Sequence, residues 1–425
     1  MRSRTDPKMQ LGRELDVVPT AHAYTAARQP KEDTRLHGPA PRQIASISVL
    51  PQPAQRVASV DALRGFSMFM VLGADIVANA IQQMLAHAGW LLAAIGTLIG
   101  DQFTHAKWHG ATFYDLVFPL FIFVTGVAIV FSLPKLVERE GKWAAHKRVL
   151  RRFVLLYALG VICYGGLANG FAEVRLGGVL QRIALCYLFA SLLFLNTSAR
   201  AMAMALVALL AGYWALMTFV PVPGVGAGSM AQGANLANWI DANYLPGRKW
   251  EGSWDSEGIL STLPAIGTCL LGVFAGLLLR NSKLKARQKS LWLVGAGAAL
   301  TVAGLLWGLQ FPINKYLWTS SFVLVTGGLA FLILGIFHEL IDVRSYRAWA
   351  AVFIWVGASA IVLYVFNMIT GFYPLAQRIV GGDLGELADA YLVQGTGQFM
   401  ASVLGLAIAV AAAHFLYRRK IFLRV

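Results

Sequence analysis

The sequence predicts an all-α polytopic membrane protein with about ten transmembrane helices. Of its 425 residues, 57% are hydrophobic and only 13% are charged, whereas soluble domains carry about 25% charged residues. Apolar windows long enough to cross a hydrocarbon core of ~30 Å as helices recur along the chain, and helices satisfy their own backbone hydrogen bonds in lipid. The predicted spans are 60–81, 111–133, 152–168, 179–196, 201–220, 259–279, 290–310, 318–337, 348–368 and 396–417.

Lysine and arginine are unevenly distributed between the two sets of loops that these spans define. With the N-terminus placed inside, nineteen of these residues lie in the inner loops and the C-terminal tail, and six lie in the outer loops. Because cytoplasmic loops carry such an excess, we expect both termini in the cytoplasm. The net charge of +15 has the same explanation, so it does not indicate nucleic-acid binding.

The segment 1–56 differs in composition from the rest of the chain. It is rich in Arg, Pro, Gln and Ala and lacks the apolar core of a secretory signal. We expect a disordered cytoplasmic tail, with Met9 as an alternative start, followed by a transmembrane domain over 57–425. The apolar segment 86–98 is short for a crossing, and we expect it to be re-entrant or interfacial.

Several common active-site signatures are missing from the sequence. The three cysteines lie in apolar runs with no pair at metal-ligand spacing, so neither a metal site nor a disulfide framework is predicted. The patterns G-x-x-x-x-G-K-[ST], H-E-x-x-H and G-x-S-x-G do not occur, which argues against an ATPase, a zinc protease and a serine hydrolase.

The stretch 105–119, HAKWHGATFYDLVFP, places ionisable side chains at the outer end of the second predicted span. His105, His109 and Asp115 come at the start of an apolar run over 116–133. Ionisable groups at such positions are costly to keep and mark a pathway or a site. The alternative is an interfacial loop whose histidines contact headgroups and water.

Three other even-numbered spans also begin with unusual polar side chains. Because these helices run from outside to inside, their first residues lie at the outer end, and one shared extracytoplasmic pocket explains all of them. Helix starts attract polar caps in any case, but Arg, Lys, Trp and Gln are not typical N-cap residues. The residues concerned are Gln181, Arg182, Asp255, Glu257, Asn314, Lys315 and Trp318.

The first span carries three charged residues: Asp61, Arg64 and Asp75. In a straight helix Asp75 lies about 20° around the axis from Arg64 and ~16 Å further along it. Such a face has to point into the protein, because lipid does not tolerate it. We expect Asp61 and Arg64 to form a structural pair at the cytoplasmic interface, and we expect the isolated, deep Asp75 to belong to the site.

Five stretches in the same order resemble the heparan-α-glucosaminide N-acetyltransferase family and its bacterial relatives. They are VDALRGFSMFMVLGAD at 60–75, HAKWHGATFYDLVFPLFIFVTG at 105–126, GVLQRIALCY at 178–187, SEGILSTLPAIGTCLLG at 256–272 and INKYLWTSSFVLVTGG at 313–328. The resemblance runs from about 58 to 370. A further stretch, WVGASAIVLY at 355–364, keeps the serine of a family motif as Ser359 but has Ala358 in place of its asparagine.

This resemblance implies a membrane acetyltransferase. The family takes acetyl groups from acetyl-CoA on the cytosolic side and passes them to the amine of a terminal glucosamine on the other side. Its active histidine matches His105, and a site asparagine aligns with Asp75.

The residues at hand suit this chemistry. Neutral imidazole can remove the proton of an amine, an effect of about 10²–10⁴ on the rate, or attack a thioester and carry the acyl group; both routes stay open. Asp75 or Asp115 could orient the ring, and Asn314, Lys315 or Trp318 could stabilise an oxyanion. For the phosphates of acetyl-CoA we expect Arg64 or Arg182, while Gln181 and Glu257 complete the candidate substrate-binding set.

We therefore expect an acetyl-CoA-dependent acetyltransferase of the bacterial inner membrane whose site faces the periplasm. Its expected partners are an amino-sugar acceptor and membrane lipid, with a homodimer as an open option and with no metal and no nucleic acid. One alternative is an amino-sugar transporter that uses the same charged cavity, although the two halves show no convincing internal repeat. The other is an O-acyltransferase that modifies a cell-envelope glycan.

Overall fold

The computed structural model describes residues 57–87 and 89–421, and this part of the chain contains helices and no β-strand. The predicted tail over 1–56 lies outside the described residues. The helices are α1 Ala58–Phe69, α2 Asp75–Ala86, α3 Trp90–Gln102, α4 Val117–Cys163, α5 Val179–Asn196, α6 Ala199–Phe219, α7 Leu236–Tyr244, α8 Thr262–Arg280, α9 Ala286–Gly308, α10 Ser320–Phe337, α11 Ala351–Ala358, α12 Ala360–Ile369, α13 Phe372–Val380, α14 Asp383–Tyr391 and α15 Thr396–Arg418.

Seven helices among the described residues are long and apolar enough to cross a membrane, or eight if α11 and α12 form one span. The longest, α4, has 47 residues and leaves the helical conformation at Gly141, so it contains two of the predicted spans. The first predicted span is divided between α1 and α2, neither of which reaches 18 residues. The class of all-α polytopic membrane protein is confirmed, whereas the count of ten spans and the side of the termini stay predictions.

A π-helical turn, Met70–Ala74, joins α1 to α2. Gly73 adopts a φ of 140°, which a residue with a side chain rarely takes and glycine takes readily. The angle of about 20° expected between Arg64 and Asp75 assumed a straight helix, and this turn removes that assumption. The π-helical turn therefore resets the direction of Asp75, the first residue of α2.

The short apolar segment predicted at 86–98 corresponds to α3. At 13 residues it is about 20 Å long, which is too short to cross the hydrocarbon core. Trp90 at its start is 84% exposed. The tight approach of Gly96 and Gly100 to the Gln82 side chain and backbone fixes α3 against α2.

The ninth predicted span is interrupted. Helices α11 and α12 meet at Ser359 with a bend of 73°. Gly357, just before the bend, lies so close to α1 that an added Cβ would be 2.8 Å from the backbone nitrogen of Gly65. Irregular backbone at membrane depth is tolerated only where protein buries it or a cavity adjoins it, so the bend has to lie against protein or a cavity and not against lipid.

The uneven distribution of Lys and Arg leads to a labelling prediction. A cysteine introduced at Ser229, in an outer loop, should react in intact cells with a thiol reagent that cannot cross the membrane. A cysteine at the exposed Ser282, in an inner loop, should react only after the membrane is opened, because the native Cys163, Cys186 and Cys269 are buried and add little background. Labelling of the Ser282 position in intact cells would contradict the predicted orientation.

Candidate active site

A cavity of about 680 Å³ extends through the helical bundle. Side chains from α1, α4, α5 and the α11–α12 bend line it, together with side chains from four loops, namely α3–α4, α4–α5, α7–α8 and α9–α10. The lining residues from Tyr114, just before α4, to Ser132 within it cover a helical distance of about 27 Å at about 1.5 Å per residue. The cavity therefore extends over most of the ~30 Å thickness of a hydrocarbon core.

The two ends of this cavity differ in charge. What we call the histidine end holds acidic, basic and aromatic side chains: His105, Tyr114, Arg175, Trp250, Glu251, Glu257, Lys315 and Tyr316. What we call the arginine end holds Arg64, Arg148, Arg152 and Ser132. Apolar side chains such as Phe118, Phe121 and Ile183 line the part between them. The cavity thus suits an elongated ligand with a charged group at one end and an apolar or uncharged middle.

His105 lies at the centre of the histidine end, where it contacts an acid and a base. Its Nδ1 atom is 2.7 Å from Asp115 Oδ1 and 2.8 Å from Lys315 Nζ, and Lys315 Nζ is 3.4 Å from Asp115 Oδ1. The His105 side chain is 44% exposed, whereas the Asp115 side chain is fully buried. Both contacts use Nδ1, which leaves Nε2 as the nitrogen available to a ligand.

Hydrogen bonds to the second carboxylate oxygen of Asp115 hold this side chain in place beside the imidazole. Its Oδ2 atom accepts the backbone N–H of Ala106 at 3.1 Å and that of Thr112 at 3.0 Å, together with the Thr112 hydroxyl at 3.1 Å. Its Oδ1 atom is therefore directed at His105 and Lys315. A single Nδ1 atom cannot donate to Asp115 and accept from Lys315 at once, so the two contacts correspond to the two tautomers of the ring.

Lys315 lies in the loop between α9 and α10, where burial lowers its pKa and the charges of Asp115 and Glu257 partly offset that effect. A buried lysine with a lowered pKa loses its proton more readily than an exposed one. Lys315 can therefore take part in proton movement at Nδ1 as well as in charge pairing.

Asp75 reaches the same end through an aromatic ring. Its carboxylate accepts a hydrogen bond from the Tyr114 hydroxyl, and the Tyr114 ring lies against the His105 ring with centroids 4.9 Å apart. Asp75 is therefore a neighbour of the histidine cluster, one residue removed from the imidazole.

Arg175 organises the acidic residues that follow α7. Its guanidinium donates to both carboxylate oxygens of Asp255, at 2.8 and 2.9 Å, and to Glu257 at 2.7 Å, and it lies between the rings of Tyr164 and Trp250. Burial disfavours its charge, but the hydrogen bond to Asp255 and the two carboxylates raise the pKa of Arg175. The cluster fixes the position of Glu257 at the cavity wall.

Glu251 is a carboxylate at the cavity wall with no side-chain hydrogen bond or ion pair among the described residues. It follows the exposed Trp250 in a turn closed by the hydrogen bond from its own N–H to the Trp254 carbonyl, at 3.1 Å. Burial raises its pKa, and Asp255 and Glu257 add to that effect. A partly buried, unpaired carboxylate of this kind suits a cationic ligand.

Six residues predicted for the site lie outside the cavity lining: Asp75 and Asp115, which contact lining residues, and four that do not reach the histidine cluster. Arg182 is fully buried; its guanidinium donates to the Ser261 hydroxyl and lies 5.0 Å from the Trp318 ring centroid. Trp318 donates to Thr268 at 3.2 Å, Gln181 donates to the Arg175 carbonyl at 3.3 Å, and Asn314 accepts the N–H of Leu317 at 2.9 Å. In the structure these side chains tie helices and loops together around the cavity.

The structure adds residues to the site that the sequence did not single out. Arg148 and Arg152 entered the sequence analysis only as loop charges, although their spacing of four places them on one face of a helix. The Arg152 guanidinium lies 4.5 Å from the Tyr187 ring centroid. Tyr114 and Glu251 gave no signal of their own, because a lone tyrosine near a helix start and a lone glutamate in a loop are both common.

The sequence is similar to one family model and to two proteins of known name. Residues 56–194 match a family model described as a domain of unknown function, DUF5009. The human protein named heparan-alpha-glucosaminide N-acetyltransferase is 28% identical over 386 residues, which cover 76% of this chain and 56% of that protein. The mouse protein of the same name is 26% identical with the same coverage.

The chain is similar in sequence to these heparan-alpha-glucosaminide N-acetyltransferases over 76% of its length. The resemblance found in the sequence motifs is thereby confirmed, and the chain spans about half the length of the curated relatives that it matches. The region that matches the family model contains His105 and Asp115 as well as Arg64, Arg148 and Arg152. The region 56–194 thus supplies side chains to both the histidine end and the arginine end of the cavity.

Proposed function

We propose that this homologue of the N-acetyltransferases moves an acetyl group from acetyl-CoA, bound from the cytoplasm, to the amine of a glucosamine-type sugar on the other side of the membrane. The observation that carries the proposal is the single cavity that joins three arginines to the His105–Asp115 pair over most of the bilayer thickness. The names of the human and mouse relatives support the reaction class.

The arginine end suits the nucleotide of acetyl-CoA. Its phosphates carry several negative charges, and guanidinium groups are well matched to them. Of the two arginines expected to bind these phosphates, Arg64 lines the cavity and Arg182 does not, whereas Arg148 and Arg152 line it as well. The pantetheine arm would lie along Phe118 and Phe121, which brings the thioester towards His105.

At the histidine end, His105 Nε2 is the atom that would meet the thioester or the amine. In the tautomer whose Nδ1–H donates to Asp115, Nε2 carries a lone pair and acts as a base or as a nucleophile. In the other tautomer Lys315 donates to Nδ1, and Nε2–H can return a proton to the leaving group. Lys315 therefore acts on the imidazole in this proposal, where the sequence suggested a donor to the oxyanion.

The acceptor would enter from the same end. Glu251 offers an unpaired carboxylate to the ammonium of an amino sugar, and Glu257 lies beside it, held by Arg175. The rings of Trp250 and Tyr316 line the same region and present apolar faces to a sugar ring. An uncharged sugar would gain the contacts with the rings without the charge pairing.

The direct test measures free CoA released from acetyl-CoA by the purified protein in detergent. Addition of glucosamine should increase the release, while addition of N-acetylglucosamine, whose amine is already blocked, should not. Equal stimulation by glucose would favour the O-acyltransferase alternative. Uptake of glucosamine into proteoliposomes without acetyl-CoA would favour the transporter alternative, for which a broken helix beside a through-going cavity is a known arrangement.

A further inference from the structure

The bend between α11 and α12 places the start of a helix in the wall of the cavity. Residues 357–362 all line it. The first hydrogen bond of α12 runs from the Leu363 N–H to the Ser359 carbonyl at 3.1 Å, and the Ser359 N–H donates back to the Val356 carbonyl at 3.2 Å. The N–H groups of residues 360–362 therefore lie at the open N-terminal end of the helix. Such an end carries a partial positive charge and attracts anions.

Ser359 provides a second, independent observation at this position. Its side chain is 2% exposed, and its hydroxyl has no hydrogen-bond partner in the part of the chain that the structure describes. A buried hydroxyl without a partner is costly in an apolar environment. Because Ser359 lines the cavity, a ligand bound against the start of α12 can supply the partner that its hydroxyl lacks.

The charges around the bend favour an anion. Arg64 lies within α1, directly before Gly65, which packs against Gly357. Arg148 and Arg152 line the same end of the cavity. Of the described residues that line the cavity, the carboxylates are Glu251 and Glu257, both at the histidine end. The start of α12 therefore faces a part of the lining that carries three arginines, of which Arg64 also forms an ion pair with Asp61 at 3.3 Å.

We propose that the start of α12, the Ser359 hydroxyl and Arg64 together bind the diphosphate group of the acetyl donor. This inference rests on the proposed function for the identity of the donor, acetyl-CoA. It adds the position at which the diphosphate group of that donor binds. The diphosphate oxygens accept hydrogen bonds from the N–H groups of the first turn and from Ser359, while Arg64 balances their charge.

The length of the donor agrees with this position. About thirteen bonds separate the nearer phosphorus of CoA from its sulfur, or about 15 Å for a chain extended like a polypeptide. Gly65 marks the level of the bend, and Asp75, which contacts Tyr114 beside His105, marks the histidine end. The ten residues between them include the π-helical turn, so they span at most about 15 Å along a helix axis. The extended arm is therefore long enough to bring the thioester of a donor held at Ser359 to the imidazole.

Substitutions at Ser359 test the site by equilibrium binding in detergent. Ser359→Asp should fold, because Asp is a favourable N-cap residue, but its carboxylate takes up the N–H groups and repels phosphate. We expect it to weaken the binding of CoA and of inorganic diphosphate tenfold or more, and to leave the KM for acetylpantetheine, which lacks the diphosphate, unchanged. Ser359→Ala should weaken CoA binding by a smaller factor.

Ser191 provides the matched control. It is a buried serine of α5 whose hydroxyl also has no partner in the described part of the chain, and it does not line the cavity. Ser191→Ala should bind CoA as the wild type does. Unchanged CoA affinity in Ser359→Asp, or an equal loss with acetylpantetheine, would overturn the diphosphate site. If the wild type binds inorganic diphosphate through Ser359 but does not bind CoA, the site stands and the proposed function fails; if it binds neither, the site is refuted.

Discussion

His105→Ala should lower acetyl transfer to glucosamine by about 10²–10⁴, the range expected when a general base or acyl carrier is removed. The ring is the group at the histidine end that presents a free nitrogen to the cavity, with Nδ1 occupied by Asp115 or Lys315. The affinity for CoA should change little, because the arginines and the start of α12 lie elsewhere in the cavity. The measurements are steady-state transfer and equilibrium CoA binding on the same preparation.

The neighbouring His109 is the matched control for this substitution. It is exposed, it does not line the cavity, and its ring lies 6.2 Å from that of Trp108. His109→Asn should therefore retain most of the activity. Equal loss in the two histidine variants, or continued transfer by His105→Ala, would show that His105 is not the reacting residue. Covalent acetyl label retained by the wild type without acceptor, and absent in His105→Ala, would identify the acyl-carrier route.

Asp115→Asn should have an effect of similar size, about 10²–10⁴, although it changes few atoms. The amide can still accept the N–H groups of Ala106 and Thr112 through one oxygen, so the local fold should persist. Its NH₂ group would then face Nδ1 and donate to it, which fixes the tautomer with the proton on Nε2. An equivalent change in a serine protease triad costs about 10⁴ in kcat. Transfer rates and thermal stability of the purified variant are the measurements.

Lys315→Met separates the role of the tautomer from that of local charge. It removes the competing donor at Nδ1 and keeps the contact between His105 and Asp115. We therefore expect a smaller loss than in Asp115→Asn, together with a changed dependence of the rate on pH, because a titrating neighbour with a lowered pKa is gone. If Asp115→Asn were nearly fully active, orientation of the imidazole by Asp115 would not be part of the mechanism.

The sequence predicted the helical class and the main features of the histidine end for physical reasons that are local. Long apolar windows permit few structures other than helices in lipid, and the run that begins near Asp115 places His105 beside it. Lys315 was predicted at the outer end of another span, and the structure brings it within 2.8 Å of His105. The sequence could therefore predict which side chains lie at the same end of the helical bundle without any knowledge of how the helices pack.

The remaining features depend on packing and on backbone geometry that the sequence pattern does not encode. In the sequence, both Arg182 and Arg152 are charged residues near the ends of predicted spans. In the structure Arg182 donates to Ser261 away from the cavity, whereas Arg152 lines the cavity. The rotation of each helix about its axis decides whether its arginine faces the cavity. The π-helical turn at Met70–Ala74, which contains Gly73, redirects Asp75. The sequence does not reveal this turn, because a single glycine in an apolar run usually indicates close helix packing. The bend at Ser359 lies within a continuous apolar window and carries no proline.

The cavity that connects the two ends also determines how the reaction responds to membrane voltage. Moving one elementary charge across the membrane is worth about 2.3 kcal/mol per 100 mV, so carrying a glucosammonium ion through the bilayer would couple its movement to the electrical gradient. In the proposed reaction the phosphates stay among the arginines, the ammonium stays beside Glu251, and an uncharged acetyl group is what passes between them. A cell could therefore acetylate sugars outside its cytoplasm at a rate set by its acetyl-CoA supply, whatever the potential across the membrane.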